Sequence, residues 1–372
     1  MNRGIYVHVP YCTKKCPYCD FYSVIYDESS ASEYTDAVIC VIESYKNRGI
    51  CADTLYFGGG TPNLIGSERI GAILKAVKEN FILPSDAEIT LEANPETFRK
   101  QNIATFKEAG INRLSMGLQS AVDSELCSLG RRHTNDDVAF CIRKANKAGI
   151  QNISLDLMLG VEGQSKASLL KSIEFCADLG VSHLSAYMLK IEPNTPYCKN
   201  RSLLNLPDDD EAAELYLFAV DELKKRGFEQ YEISNFARGG AVSRHNLKYW
   251  NCEEYVGIGA SAHGYEDGER YYFGRSIKDF VASPLSRVSD GAGGGIDEYF
   301  MLKMRLSKGL CLGDFEEKFS IKLPQKFYSK VSSFEKAGLL KRTGGKIAFT
   351  PKGFLVSNSV ISDLLFSMEF YD

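Results

Sequence analysis

Three cysteines, Cys12, Cys16 and Cys19, share one short loop in the run YVHVPYCTKKCPYCDFY over residues 6–22. Their spacing is C-x3-C-x2-C. Thiolates this close can hold three corners of an iron–sulfur cube, since such clusters are held by Cys thiolates from short runs. The position that would extend the run to a fourth thiol is Phe21. One iron is then left for a ligand that is not protein. The alternative is a structural zinc with His8 as fourth ligand, although zinc sites usually show paired C-x2-C knuckles. A disulfide framework suits neither a long chain nor an odd cysteine count, here 11.

Other chemistry-bearing residues follow at intervals. FGGGTP (58–62, continuing from Phe57) places Gly59 and Gly60 before Thr61. Glycines permit close backbone approach, and the N–H groups of such a loop are expected to stand bare toward a ligand. A tight turn is the plain alternative. Glu92 in TLEANPET puts a carboxylate at the tail of an apolar run, where a helix cap is the other reading. Gln119 stands in SMGLQS, and Arg131 in LGRRHT beside Arg132. Asp156 in SLDLMLG is a charge inside an apolar run, and a buried charge needs a partner.

The elements that must position these residues repeat a plan. GINRLS (110–115), GIQNIS (149–154) and GVSHLS (180–185) each follow a helix-like segment and open an apolar strand. Glycine ends a helix because it takes the left-handed conformation without strain. The segments PETFRKQNIATFKEA, NDDVAFCIRKANKA and KASLLKSIEFCADL read as the helices. DDDEAAELYLFAVDELKKRG followed by FEQYEIS continues the plan. Strands are expected over 5–9, 54–57, 88–92, 113–117, 153–158 and 183–189. Helices alternating with buried strands mean βαβ units and a parallel sheet. Six units predict a partial, open (β/α)6 barrel, an α/β fold, with a doubly wound sheet as the alternative. A barrel collects chemistry at the C-terminal ends of its strands, where these residues fall.

The chain has 372 residues, a net charge of −4 and 25% charged residues, with no global pull toward nucleic acid. It has no long apolar run and starts with no charged-then-apolar leader, so neither a membrane span nor a secretion signal is expected. A reducing cytoplasm is the expected location. The cysteines outside the loop (Cys40, Cys51, Cys127, Cys141, Cys176, Cys198, Cys252 and Cys311) are expected to be reduced core thiols.

The Cys spacing with Tyr18 before the last Cys resembles the radical S-adenosylmethionine (SAM) superfamily. In that superfamily SAM chelates the open iron, and an electron from the cluster cleaves its sulfonium. HVPYC, CPYCDF, FGGGTP, EANPET, RLSMGLQS, GRRHT, DLMLG and IEPNTPY together resemble one branch, that of oxygen-independent coproporphyrinogen III oxidase (HemN) and the haem chaperone HemW. The resemblance implies that Cys12, Cys16 and Cys19 bind a [4Fe-4S] cluster. It implies that Tyr6, Tyr18, Gly59, Gly60, Thr61, Glu92, Gln119, Arg131 and Asp156 lie around SAM. The oxidase pattern continues to one more Cys, where this chain has Asp20-Phe21. SRHNLKYW supplies the H-N-x-x-Y-W string that resembles the HemW haem-binding signature, so His245 becomes a haem contact. A packed loop corner is the alternative for His245, and His263 is a second candidate. The chaperone relative implies haem binding and transfer to an acceptor protein, an open option of a homodimer, and no coproporphyrinogen oxidation.

The resemblance and the pattern change together suggest a radical SAM core over 1–236 and an extension with a Gly-rich hinge (DGAGGGID) over 237–295. A winged-helix-like α+β domain is expected over 296–372. Between residues 301 and 352 twelve Lys or Arg stand against four Asp or Glu. That surplus reads as a solvated surface, with a seat for haem propionates or a partner as the functional alternative.

Overall fold

The computed structural model describes residues 2–368. Six strands run in chain order: β1 (Arg3–Val9), β2 (Ala52–Gly59), β3 (Glu88–Ala93), β4 (Arg113–Gln119), β5 (Asn152–Leu159) and β6 (His183–Met188). Neighbours pair in parallel throughout. The apolar side chains facing the outer helices, such as Ile5, Val7, Leu55, Phe57, Leu91, Leu114 and Leu155, are fully buried. Burial on both faces is what a parallel sheet demands. The helices Glu28–Glu43, Gly66–Asn80, Ile103–Ala109, Asn135–Lys147 and Lys166–Asp178 make the crossovers, and Asp209–Lys225 follows the sixth strand. Gly110, Gly149 and Gly180 have φ of 118°, 87° and 71°, so each repeat begins on a left-handed glycine that ends a helical turn.

The structure differs from expectation in four places. The segment PETFRKQNIATFKEA forms two helices, Pro95–Phe98 and Ile103–Ala109, because the Asn102 side chain accepts the Ala104 N–H and starts the second. FEQYEIS does not add a parallel strand. The short β7 (Glu229–Gln230) turns back at once into β8 (Asn235–Ala237), which pairs antiparallel with β6. The extension runs into the same sheet. There β9 (Tyr255–Ile258) lies parallel to β1, followed antiparallel by β10 (His263–Glu266), β11 (Glu269–Tyr272) and β12 (Val288–Ala292). The sheet therefore has twelve strands in the order β12-β11-β10-β9-β1-β2-β3-β4-β5-β6-β8-β7. Finally, the Gly-rich stretch is not a loose hinge. Gly293 N–H donates to the Gly268 carbonyl at 2.8 Å, and a Cβ on Gly294 would lie 2.2 Å from the Tyr265 hydroxyl.

The C-terminal part carries the helices Ile296–Met304, Leu312–Phe319 and Gln325–Lys336 packed on Phe300, Phe315 and Phe327. Its hairpin, β14 (Leu340–Thr343) and β15 (Lys346–Phe349), turns at left-handed Gly344 and Gly345, and β13 (Leu310–Cys311) adds a third strand. Two further helices, Pro351–Leu355 and Ser357–Ser367, had no counterpart in the sequence reading. The Ile233 N–H donates to the Arg305 carbonyl and the Ser307 N–H to that of Tyr231, both at 3.0 Å, stitching this part to the barrel. The expected outer limits, residues 1 and 372, lie outside the described residues. Among the described residues no helix is long and apolar enough to cross a membrane. Of the cysteines expected in the core, Cys141 and Cys176 are buried, whereas Cys40, Cys127 and Cys198 are exposed because they sit on outward-facing positions.

Candidate functional site

Parallel strands bring their C-terminal ends to one edge, and there a cavity of about 650 Å³ opens. Cys12, Cys16 and Cys19 form one wall, each half-buried. The loop that carries them is pinned to the end of β2. Gly60 N–H donates to the Val9 carbonyl at 2.9 Å, Thr61 N–H to that of Tyr11 at 2.7 Å, and Thr61 Oγ1 lies 3.6 Å from Cys12 Sγ. Glycine is required at two points. Gly59 has φ 113° and a Cβ there would lie 2.5 Å from the His8 ring; one on Gly60 would lie 2.6 Å from the Tyr11 carbonyl oxygen. The expectation of bare N–H donors does not hold, because all three are consumed inside the fold. The glycines supply closeness of approach.

The thiols lie near enough to feel one another. Burial pushes the Cys19 thiol up, and the charges of Cys16 and Cys12 push it further. Three thiols from one short loop on one cavity wall, with no fourth Cys beside them, fit a cluster held by three cysteines. Among the described residues no trio of His, Cys, Asp or Glu is gathered round a single metal-ion position. The zinc alternative needed His8, but that ring is engaged elsewhere: Nδ1 meets the Tyr6 hydroxyl at 2.9 Å and Nε2 the Tyr22 carbonyl at 3.2 Å.

Two carboxylates form the floor. Glu92 accepts from the Tyr56 hydroxyl at 2.8 Å and from Gly59 N–H at 3.0 Å. Burial, reinforced by the charge of Asp156, pushes its carboxyl up to about 7. Asp156 is pushed up to about 6, again by burial, while hydrogen bonding from Ser185 and the charges of Arg113 and Arg131 hold it back. Asn94 caps the following helix through the Glu96 N–H, so Glu92 is free of that duty.

The opposite wall is made by a backbone irregularity. The β4–β5 register slips between Gly117 and Gln119, and Gln119 takes φ 70°. The bulge turns the amide inward over Gly117, where a Cβ would meet Gln119 Nε2 at 2.5 Å and Arg131 Nη2 at 3.4 Å. Arg131 Nη2 donates to the Tyr18 hydroxyl at 2.8 Å. Arg131 lines the cavity, whereas Arg132 is exposed and outside the lining.

Two expected residues do not line the cavity. Tyr6 lies beneath the floor with its hydroxyl on His8. His245 stands at the opposite, N-terminal end of the strands, 1% exposed on the short helix Arg244–Trp250. Its Nδ1 lies 2.8 Å from Thr54 Oγ1 and its Nε2 2.8 Å from the Tyr249 hydroxyl. Both ring nitrogens are engaged within the fold, the arrangement of the packed-histidine alternative. His263 is exposed on β10 and lies outside the cavity lining.

The cavity also includes residues that the sequence reading missed: Ser115, Met158, Tyr187, Glu192 and, at the mouth, Lys14, Lys15, Phe21 and Arg275. A signal existed for Ser115, because each Gly repeat ends on a serine and the serines point inward. Ser154 bonds His183 at 2.7 Å, and Ser115 donates to Asp156 at 3.4 Å. Arg275 had none, since only the fold brings the loop after β11 to this rim.

Comparison with known proteins agrees with this geometry. The Radical SAM superfamily model matches residues 6–176 and the HemN C-terminal domain model residues 296–356. The haem chaperone HemW of Lactococcus lactis is 32% identical over 98% of this chain and 97% of its own length. HemW of Bacillus subtilis is 33% identical over 98% and 99%. Among solved structures, the coproporphyrinogen III oxidase HemN of Escherichia coli superimposes with a TM-score of 0.82 at 20% identity, over 100% of this chain and 91% of that one. At that identity the likeness speaks for the fold, a large parallel α/β sheet.

Proposed function

Because the chain belongs to the HemW family of the radical SAM superfamily, we propose that it is a haem chaperone that holds a [4Fe-4S] cluster and SAM in the cavity and passes haem to an acceptor protein. The observation that carries this reading is the full-length kinship with HemW, from the Cys loop to the last helices. When bound, the cluster with SAM on its open iron supplies one-electron chemistry at the sulfonium. Cys12, Cys16 and Cys19 would ligate three irons, and Phe21 withholds a fourth thiol. Glu92 and Asp156 would meet the cationic and hydroxyl groups of SAM, while Gln119 and Arg131 would offer donors from the facing wall. An ammonium at the Gly59–Thr61 loop would be met by carbonyl oxygens, since the N–H groups there are already engaged.

The mouth of the same cavity suits haem. Phe21 is 69% exposed and presents an aromatic face, and the exposed cations Lys14, Lys15 and Arg275 stand round it. A flat apolar ring with two carboxylates matches that pattern. Haem titration of the anaerobically reconstituted protein, followed by absorbance beside a coproporphyrinogen assay with SAM and reductant, tests the reading. Stoichiometric haem binding without conversion is expected. Conversion to protoporphyrinogen without specific haem binding would overturn it.

A further inference from the structure

The Arg244–Trp250 helix has no place in the cavity, yet it is built into the barrel more tightly than any surface helix needs. It closes the N-terminal mouth. Glu88, at the start of β3, accepts the Arg244 and His245 N–H groups at 3.1 and 3.0 Å, placing a carboxylate on the helix N-terminus. Lys248, 5% exposed, donates to the Asn2 carbonyl at 2.9 Å and pairs with Asp53 at 2.8 Å. A Cβ on Gly4 would already crowd Lys248 and His245 at 3.0 and 3.1 Å.

A continuous column leads from this plug to the cavity floor. The His245 imidazole stacks on the Tyr56 ring, centroids 5.2 Å apart and planes at 28°. The Tyr56 hydroxyl donates to Glu92 Oε1, and Glu92 Oε2 holds the N–H of Gly59. Tyr249 fixes the far side of the imidazole through its hydroxyl, and packs edge-on to Tyr255 at 4.6 Å. Burial holds His245 down to about 3, so it stays neutral and stacks as an aromatic ring.

We propose that His245 and Tyr249 are positioning residues for SAM: through the Tyr56 ring they set Glu92, and through Glu92 the Gly59 loop. The H-N-x-x-Y-W string then serves the cavity from beneath, and the haem iron is bound elsewhere. The inference rests on the SAM site proposed above and requires haem to sit away from His245.

The test measures equilibrium SAM binding to reconstituted wild type, Tyr56→Phe, His245→Gln and the double variant across a pH series, with haem binding in parallel. Glu92 faces Asp156, Arg113, Tyr6, Tyr187 and Tyr249, and these groups are common to these four proteins. SAM is cationic, so its binding strengthens as Glu92 ionises. Removing the Tyr56 donor weakens that carboxylate as an acid. Tyr56→Phe should therefore weaken SAM about fivefold at neutral pH, the scale of one buried hydrogen bond. It should also move the midpoint of the pH dependence upward. His245→Gln should do both, and the double variant should go no further than either single. Haem stoichiometry and spectrum should stay those of the wild type. Loss or spectral change of haem in His245→Gln with SAM binding intact would overturn the inference. If His245→Gln does not fold, Tyr249→Phe takes its place: an unmoved pH midpoint there, with Tyr56→Phe moved, would overturn it equally. Should wild type bind no haem, the chaperone reading falls and the SAM measurements decide the inference alone.

Discussion

The two mouths of the barrel are built from the same residue types and treat them oppositely. At the N-terminal mouth His245, Thr54, Glu88, His183 and Ser154 are buried, and together with the half-buried Tyr231 they are held by hydrogen bonds within the fold. His183, for example, is held by Ser154 at 2.7 Å and Tyr231 at 2.8 Å. At the C-terminal mouth the half-buried Glu92 and Asp156 line one cavity with carboxyls pushed up, three thiols share a wall, and the cations at the rim stand in solvent. Buried polar groups that satisfy one another rigidify a fold, while groups left with unspent charge in a cavity are poised for a ligand. The chemistry of a side chain did not decide between these fates; its position along the strand did.

Five variants sharpen or break this contrast, and the largest effect belongs to the open mouth. Cys19→Ser should abolish the brown colour of the reconstituted protein and its charge-transfer absorbance while the melting temperature of the apo chain barely moves. Retention of a full cluster would remove Cys19 from the ligand set. At the closed mouth the effect is on stability. Glu88→Ala strips the cap from the Arg244–Trp250 helix and leaves Arg113, 2% exposed, without its carboxylate 4.0 Å away. A loss of about 3–5 kcal/mol is expected in denaturant unfolding; a loss below about 1 kcal/mol would mean that the basal network is not structural.

Glu92→Gln should behave in the reverse sense. The folded-state carboxyl at about 7 lies above its ordinary value, so the folded chain binds more protons than the unfolded chain between those pH values. Its contribution to stability is thus present at low pH and lost as pH rises through about 7. Glu92→Gln should flatten the fall in melting temperature between pH 5 and 8 of the apo chain, and weaken SAM. A steeper fall would contradict the assignment. Gly117→Ala should be smaller still. Its methyl displaces the end of the Gln119 side chain, so stability should hold within about 0.5 kcal/mol while SAM affinity falls several-fold. The smallest effect is expected outside both mouths: reversing the exposed Lys318, Lys322, Lys326 and Lys341 to Glu should slow haem transfer more than it changes SAM binding, and equal transfer rates would leave that surface merely solvating.

The barrel was legible because its strands are short apolar runs between left-handed glycines, and each of the six expected strands falls within a residue or two of the observed bounds. The cavity was legible where a residue breaks its local pattern, as Asp156 does inside an apolar strand. It was not legible where pairing through space decides the outcome. The Gly59–Thr61 N–H groups looked free because their acceptors, Glu92, Val9 and Tyr11, are supplied by other segments. His245 looked available for the same reason: Thr54 lies far off in sequence. The Gly-rich stretch at 290–297 suggested a hinge, but the ring of Tyr265 fills the space its glycines leave.

The claim that ligand chemistry belongs to the open mouth is tested most directly by the electron paramagnetic resonance signal of the reduced cluster, recorded with and without stoichiometric haem. Haem seated over Phe21, Lys14, Lys15 and Arg275 would broaden that signal and speed its relaxation, in wild type and in His245→Gln alike. A signal unchanged by bound haem, with haem binding abolished in His245→Gln, would place haem at the closed mouth and contradict the account.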